Sequence, residues 1–182
     1  MACVVDIDPF RYDAGASWLN LLATVGNRFG PVPVERMPSP ERLAEWLRHE
    51  GLAPAVPPTE VDLAAAYELR AALAHVVFAL VDGEPVPVPA LDLVQDVAAR
   101  DRPARLSVTG DGLRAQPVRD PLARLARQAV DHLATPGPHH LRTCGDPDCT
   151  MAYLDPYGRR RWCGSGCGVR ARVRAHRAKG SL

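Results

Sequence analysis

Four cysteines crowded between residues 144 and 167 constrain this 182-residue chain more than any other feature. They form two pairs, Cys144-x4-Cys149 and Cys163-x3-Cys167, with 13 residues between the pairs. Each pair is close enough for both thiolates to reach one ion, and zinc takes four thiolates tetrahedrally at about 2.3 Å. Residues 141–180 hold few large apolar side chains, so a metal staple explains how such a piece folds at all. The alternatives are four free thiols, two disulfides or an iron–sulfur cluster. A reducing compartment disfavours disulfides, and the basic, polar surroundings and the intervening segment disfavour a cluster. A structural zinc ion on Cys144, Cys149, Cys163 and Cys167 is the expectation. With four protein ligands no position is open to water or substrate, so catalysis at the metal is not expected.

Between the pairs, Met151 to Leu154 and Arg159 to Trp162 flank Asp155-Pro156-Tyr157-Gly158, residues suited to a turn, which predicts a short hairpin. After Cys167 the chain is helical in propensity through Arg177. Knuckle, hairpin and a helix that supplies the last ligands make a treble-clef-like finger. On that helix Val169 and Val173 share a stripe that would pack on the hairpin. Arg170, Arg174 and Arg177 lie along one flank, and Arg172 and Lys179 along the other.

Charge is split unevenly. From Leu141 onward nine basic side chains face three acids, a net +6, whereas the first 140 residues carry −5. A solvated helix face would alternate signs, yet no acid follows Asp155. Crowded like charges are relieved by a phosphate backbone, an α-helix fits the DNA major groove, and Arg reads guanine. Duplex DNA is therefore the expected partner of Arg159, Arg160, Arg161, Arg170, Arg172, Arg174, Arg177 and Lys179. The alternatives are a solvated basic face or one docked on the acidic body. Because 21 of the 22 basic residues are Arg, part of the arginine content is compositional bias.

The first 140 residues read as mostly helix. Amphipathic spacing predicts a helix over 17–25. Ser39 as N-cap with Pro40 at the first position and Gly51 as stop frames a second. Thr59 and Asp62 stand at capping-box spacing before the longest helix, apolar through Leu80 and closed by Asp82-Gly83. A stiff linker over 84–89, a helix over 89–100 and a hairpin turning at Thr109 to Gly112 follow. The last body helix starts at Asp120-Pro121 and stops at Pro136-Gly137-Pro138, the expected domain boundary.

Cys144-Gly145-Asp146-Pro147-Asp148-Cys149, Leu154-Asp155, Arg159-Arg160-Arg161-Trp162-Cys163 and Cys167-Gly168-Val169-Arg170-Ala171 together resemble the CGNR zinc-finger family. The preceding body is similar to the helical ABATE domain of stress-induced bacterial transcription regulators. That similarity rests on Leu19 to Val25, the Leu43, Trp46 and Leu47 helix, Leu69-Arg70 and Asp82 to Pro85. The resemblance covers roughly residues 16–180. It implies a four-cysteine zinc module that binds DNA and a body that senses a ligand or dimerises. Three positions depart from the family pattern: its name-giving Asn is Val169, the second cysteine pair is one residue closer, and an Asn-Thr pair reads Ala23-Thr24.

Other residues weigh less. His139-His140 reads as an exposed linker pair, His75 as a core or pocket-edge histidine, Trp162 as packing, and Cys3, Asp6 and Asp8 as terminal residues without a role. No phosphate loop, nucleophile elbow or paired-carboxylate pattern is present, so no enzyme is expected. No apolar run approaches the roughly 18 residues of a bilayer span, and Met1 to Asp8 lacks the basic start of a signal peptide. The sequence thus predicts a mainly α, cytoplasmic protein. Residues 1–137 form a helical body with one β-hairpin, and 141–180 form the finger. Its partners are double-stranded DNA, a small-molecule effector and a second copy in a homodimer, with no membrane. The rival reading is a body that binds a small molecule or a protein, with the finger as a structural cap.

Overall fold

A computed structural model describes residues 10–179, without the side chain of Lys179. Cys3, Asp6 and Asp8 lie outside the described residues. The body is built on α1 (Ser17–Leu22), α2 (Pro40–His49), α3 (Glu60–Asp82), α4 (Val88–Ala98) and α5 (Pro121–Ala134). α3 is the centre and contacts each of the other four.

Local chemistry sets the ends of α2 and α3 and the start of α5 where the sequence placed them. The Ser39 hydroxyl accepts from the Arg42 amide, with Pro40 at the first helical position. Gly51, at φ +70°, ends α2 in a Schellman turn: the Leu52 amide bonds the Leu47 carbonyl at 2.8 Å, and the Gly51 amide bonds Arg48. At α3 the Thr59 hydroxyl accepts from the Asp62 amide, and the Asp62 carboxylate accepts from the Thr59 amide at 2.7 Å. Asp120 caps α5 through the Ala123 amide.

α3 buries Leu63, Ala66, Leu69, Leu73, Val76 and Val77. By length and composition it is long and apolar enough to cross a membrane, which corrects the expectation that no stretch qualifies. Here its apolar face packs on α1, α2, α4 and α5. His75 is exposed, not a core residue, because it falls on the outer side of this helix.

Two further expectations change. α1 ends at Leu22, and the chain turns so that β1 (Val25–Gly26) pairs antiparallel with β2 (Val34–Glu35). The turn is fixed by a buried network: Arg70 donates to Thr24 Oγ1 at 2.7 Å and to both Glu35 oxygens, and Thr24 Oγ1 donates to the Leu21 carbonyl. Thr24 thus keeps a polar contact although its neighbour is Ala23. The expected hairpin forms from β3 (Leu106–Thr109) and β4 (Gly112–Ala115), with Val108 opposite Leu113.

Past Pro136-Gly137-Pro138 comes the second change. β6 (Ala152–Leu154) pairs with β5 (Leu141–Thr143), the strand before the first cysteine, and not with residues 159–162. The Asp155 carboxylate takes the Arg159 and Arg160 amides at 3.1 Å each, which folds that segment into a turn. α6 (Ser165–Lys179) closes the chain. The finger does not hang on a tether: Cys144, Met151, Ala152, Tyr153, Cys163 and Cys167 belong to the same apolar cluster as the body helices.

Candidate metal centre and basic helix

Cys144 and Cys149 sit in the knuckle between β5 and β6, Cys163 lies just before α6, and Cys167 falls in its first turn. The knuckle is drawn tight by backbone: the Cys144 amide bonds the Met151 carbonyl, the Cys149 amide bonds Asp146, and the Gly145 amide bonds Arg161. A Cβ on Gly145 would lie 3.0 Å from the Arg161 carbonyl oxygen, so this close approach favours glycine.

The four Sγ atoms lie within 4.8 Å of one another. Cys149 Sγ is 3.6 Å from Cys163 Sγ, which is 3.4 Å from Cys167 Sγ. A disulfide requires about 2.05 Å, whereas four ligands at about 2.3 Å around zinc place the sulfurs about 3.8 Å apart. The sulfurs are spaced for an ion, and the free-thiol, disulfide and cluster alternatives give way to a structural zinc site.

The thiols show why a cation belongs there. The hydrogen bond from Cys163 pulls Cys149 down to about 5. Its ionisation in turn pushes Cys163 up, and burial pushes Cys167 up to about 11. One thiolate suppresses the next, and a central cation would let Cys149, Cys163 and Cys167 ionise together.

The predicted arginines divide into two groups. Arg170 bonds Asp146 Oδ2 at 2.8 Å, and Arg174 bonds Asp146 Oδ1 at 3.2 Å and also pairs with Asp148. Asp146 is fully buried. Its carboxyl lies below the ordinary range: burial would raise it, but the Asp148 amide and the two guanidiniums outweigh burial. The knuckle therefore supplies acids to the basic helix, which corrects the picture of uncompensated like charge. Arg160 folds back under the finger to the Cys163 and Asp13 carbonyls and over the Tyr153 ring. Arg159 and Arg161 lie on the surface near Tyr157 and Trp162, and Arg172 and Arg177 are exposed on α6. The Lys179 side chain is outside the described residues.

Val169 and Val173 do not pack on the hairpin; they remain 48% and 44% exposed. The Trp162 ring lies 3.4 Å from where a Cβ on Gly168 would be, and beyond it α6 is tied to the knuckle through Arg170 and Arg174. From Val169 to Ala178 every side chain but Ala171 is exposed. The two linker histidines stay away from the sulfurs: the His139 carbonyl accepts from His132 Nε2, and the His140 carbonyl accepts from the Asp155 amide.

Three groups at the centre were not singled out from the sequence. Arg11 approaches two of the sulfurs, Asp146 organises the helix, and the Thr150 hydroxyl accepts the Arg28 amide at 2.9 Å, tying knuckle to body. Only Asp146 had a sequence clue, as an acid between two ligands facing a helix without acids.

Family models match both parts of the chain. The ABATE model, described as "Putative stress-induced transcription regulator", matches residues 15–136, and the CGNR zinc finger model matches residues 140–180. No curated protein matches the chain. A helical body over residues 15–136 followed by a four-cysteine finger is what the structure builds, and the chain belongs to the ABATE family with a CGNR zinc finger at its C-terminal end.

Proposed function

We propose that this protein is a cytoplasmic bacterial transcription regulator that binds duplex DNA through α6. The observation that carries the reading is the exposure of that helix. Val169 to Ala178 run about 15 Å past the zinc centre, with one flank tied back to Asp146 through Arg170 and Arg174 and the remaining faces largely exposed, and an α-helix of this kind fits the major groove. Arg159, Arg161, Arg172 and Arg177 are the outward basic groups and take phosphates. Arg170 and Arg174, braced by Asp146, present their remaining N–H groups from a fixed position. No catalytic role is assigned.

The body supplies regulation. A cleft of about 570 Å³ between α2, the 54–58 loop and the start of α5 is lined by Leu43, Leu47, Val61, Leu122 and Arg119, and suits an apolar small-molecule effector. Pairing of two copies uses the β3–β4 hairpin, whose outward face is apolar, with Leu106, Val108 and Leu113 exposed by 63%, 84% and 68%. The test of DNA binding is an anisotropy titration of zinc-loaded protein on duplex DNA. A variant with Arg159, Arg161, Arg172 and Arg177 changed to Ala loses about tenfold or more in affinity. Equal affinity of variant and wild type would sink the reading.

A further inference from the structure

Residues 10–14 precede the ABATE match, yet they reach the finger. The Ala14 carbonyl accepts the Leu154 amide at 2.8 Å, continuing the edge of β6, and the Asp13 carbonyl accepts from Arg160 at 3.3 Å. From this segment Arg11 extends over the cysteine cluster. Its Nη2 lies 3.3 Å from Cys163 Sγ and its Nη1 3.9 Å from Cys149 Sγ, and Asp13 Oδ2 holds the guanidinium at 2.8 Å. On another side of the cluster Arg170 Nη2 is 2.9 Å from Cys167 Sγ, held by Asp146.

Four thiolates on a dication leave a net charge of −2, and the two guanidiniums balance it. Arg170 belongs to the finger itself, whereas Arg11 is separated from Cys163 by 152 positions. We infer that Arg11 is an outer-sphere partner of the zinc centre supplied by the N-terminal segment, so that metal retention and docking of the finger on the body are coupled through it. An N–H donated to a thiolate stabilises its charged form against protonation, and outer partners of this kind are worth about 10–100-fold in metal affinity. The fork of arginine suits the position, because one planar group spans two sulfurs. Arg11 also lines a cleft of about 610 Å³ that reaches Cys149 and Cys167. Coupling is reciprocal: if docking strengthens zinc binding, zinc strengthens docking by the same factor.

The experiment uses the full chain loaded with zinc, as wild type, Arg11→Ala, Arg11→Lys and, as control, Arg172→Ala. Zinc affinity is read by competition with a chromogenic chelator, and docking by amide hydrogen exchange at Leu154, the donor to Ala14. Arg11→Ala is expected to lose about 10–100-fold in zinc affinity and to exchange faster at Leu154 while zinc is still bound. Arg11→Lys, which keeps the charge but reaches one sulfur, falls between, and its partial rescue separates loss of the contact from loss of the fold. Arg172→Ala matches wild type on both readings. An Arg11→Ala affinity within twofold of the control overturns the inference, and so does weakened zinc with unchanged exchange at Leu154.

Discussion

Arg70 shows how one residue holds the body to its own topology. It is buried, and its guanidinium joins α3 to Thr24 at the end of α1 and to Glu35 in β2. Arg70→Met removes the charge and leaves Glu35 facing an apolar wall. Because Glu35 keeps about a third of its surface in water, the expected loss is about 2–3 kcal/mol, below the 3–5 of fully buried pairs. It is read as a lower urea midpoint with an unchanged m-value, and an unchanged midpoint would contradict it. The same scale explains what the sequence could and could not reveal about the site. The four ligands were legible because each pair of thiolates is close in sequence, at a spacing that lets both reach one ion. Arg11 was not, because its contact with Cys163 depends on how body and finger dock. Asp146 was half legible: its place between two ligands is local, but its bond to Arg170 spans 24 positions.

The elements that announced themselves are those with local instructions at their ends. Thr59 and Asp62 are such a case, and Thr59→Ala is expected to cost about 1 kcal/mol in thermal or urea unfolding. Hydrogen bonds from Thr59 hold the Asp62 carboxyl below its ordinary value. Their contribution is therefore complete above the unfolded carboxylate pKa of about 3.9 and is lost as pH falls through the depressed folded value. A Thr59→Ala deficit that persists undiminished at the acid end of a pH series would contradict this assignment. The β5–β6 pairing was missed for the opposite reason. Residues 159–162 have strand-like spacing, but the Arg159 and Arg160 amides are taken by Asp155, and the strand before Cys144 takes the partner's place. The exposed valines of α6 were misread because periodicity shows that a stripe exists and not whether anything covers it. The β3–β4 hairpin carries a prediction of its own. Leu106→Ser, Val108→Ser and Leu113→Ser together leave monomer stability within about 0.5 kcal/mol per site and abolish self-association in sedimentation. A variant that dimerises as wild type does would remove the hairpin from the interface.

The whole molecule couples a helical body, built on α3, to a finger that the zinc ion and Arg11 hold against it. Chelation of zinc is expected to release α6 and the knuckle while the body keeps its helices, because α1 to α5 pack around α3 without the metal. Far-UV circular dichroism would then show a small loss, and a global collapse of helicity would contradict it. The proposed function rests on one property of the assembly: an acidic body carries a basic helix outward. The most direct test of that property is the salt dependence of duplex binding by the intact zinc-loaded protein. The expected log–log slope is about −4 or steeper, from roughly four neutralised phosphates. A flat dependence, or no binding at low salt, would contradict it.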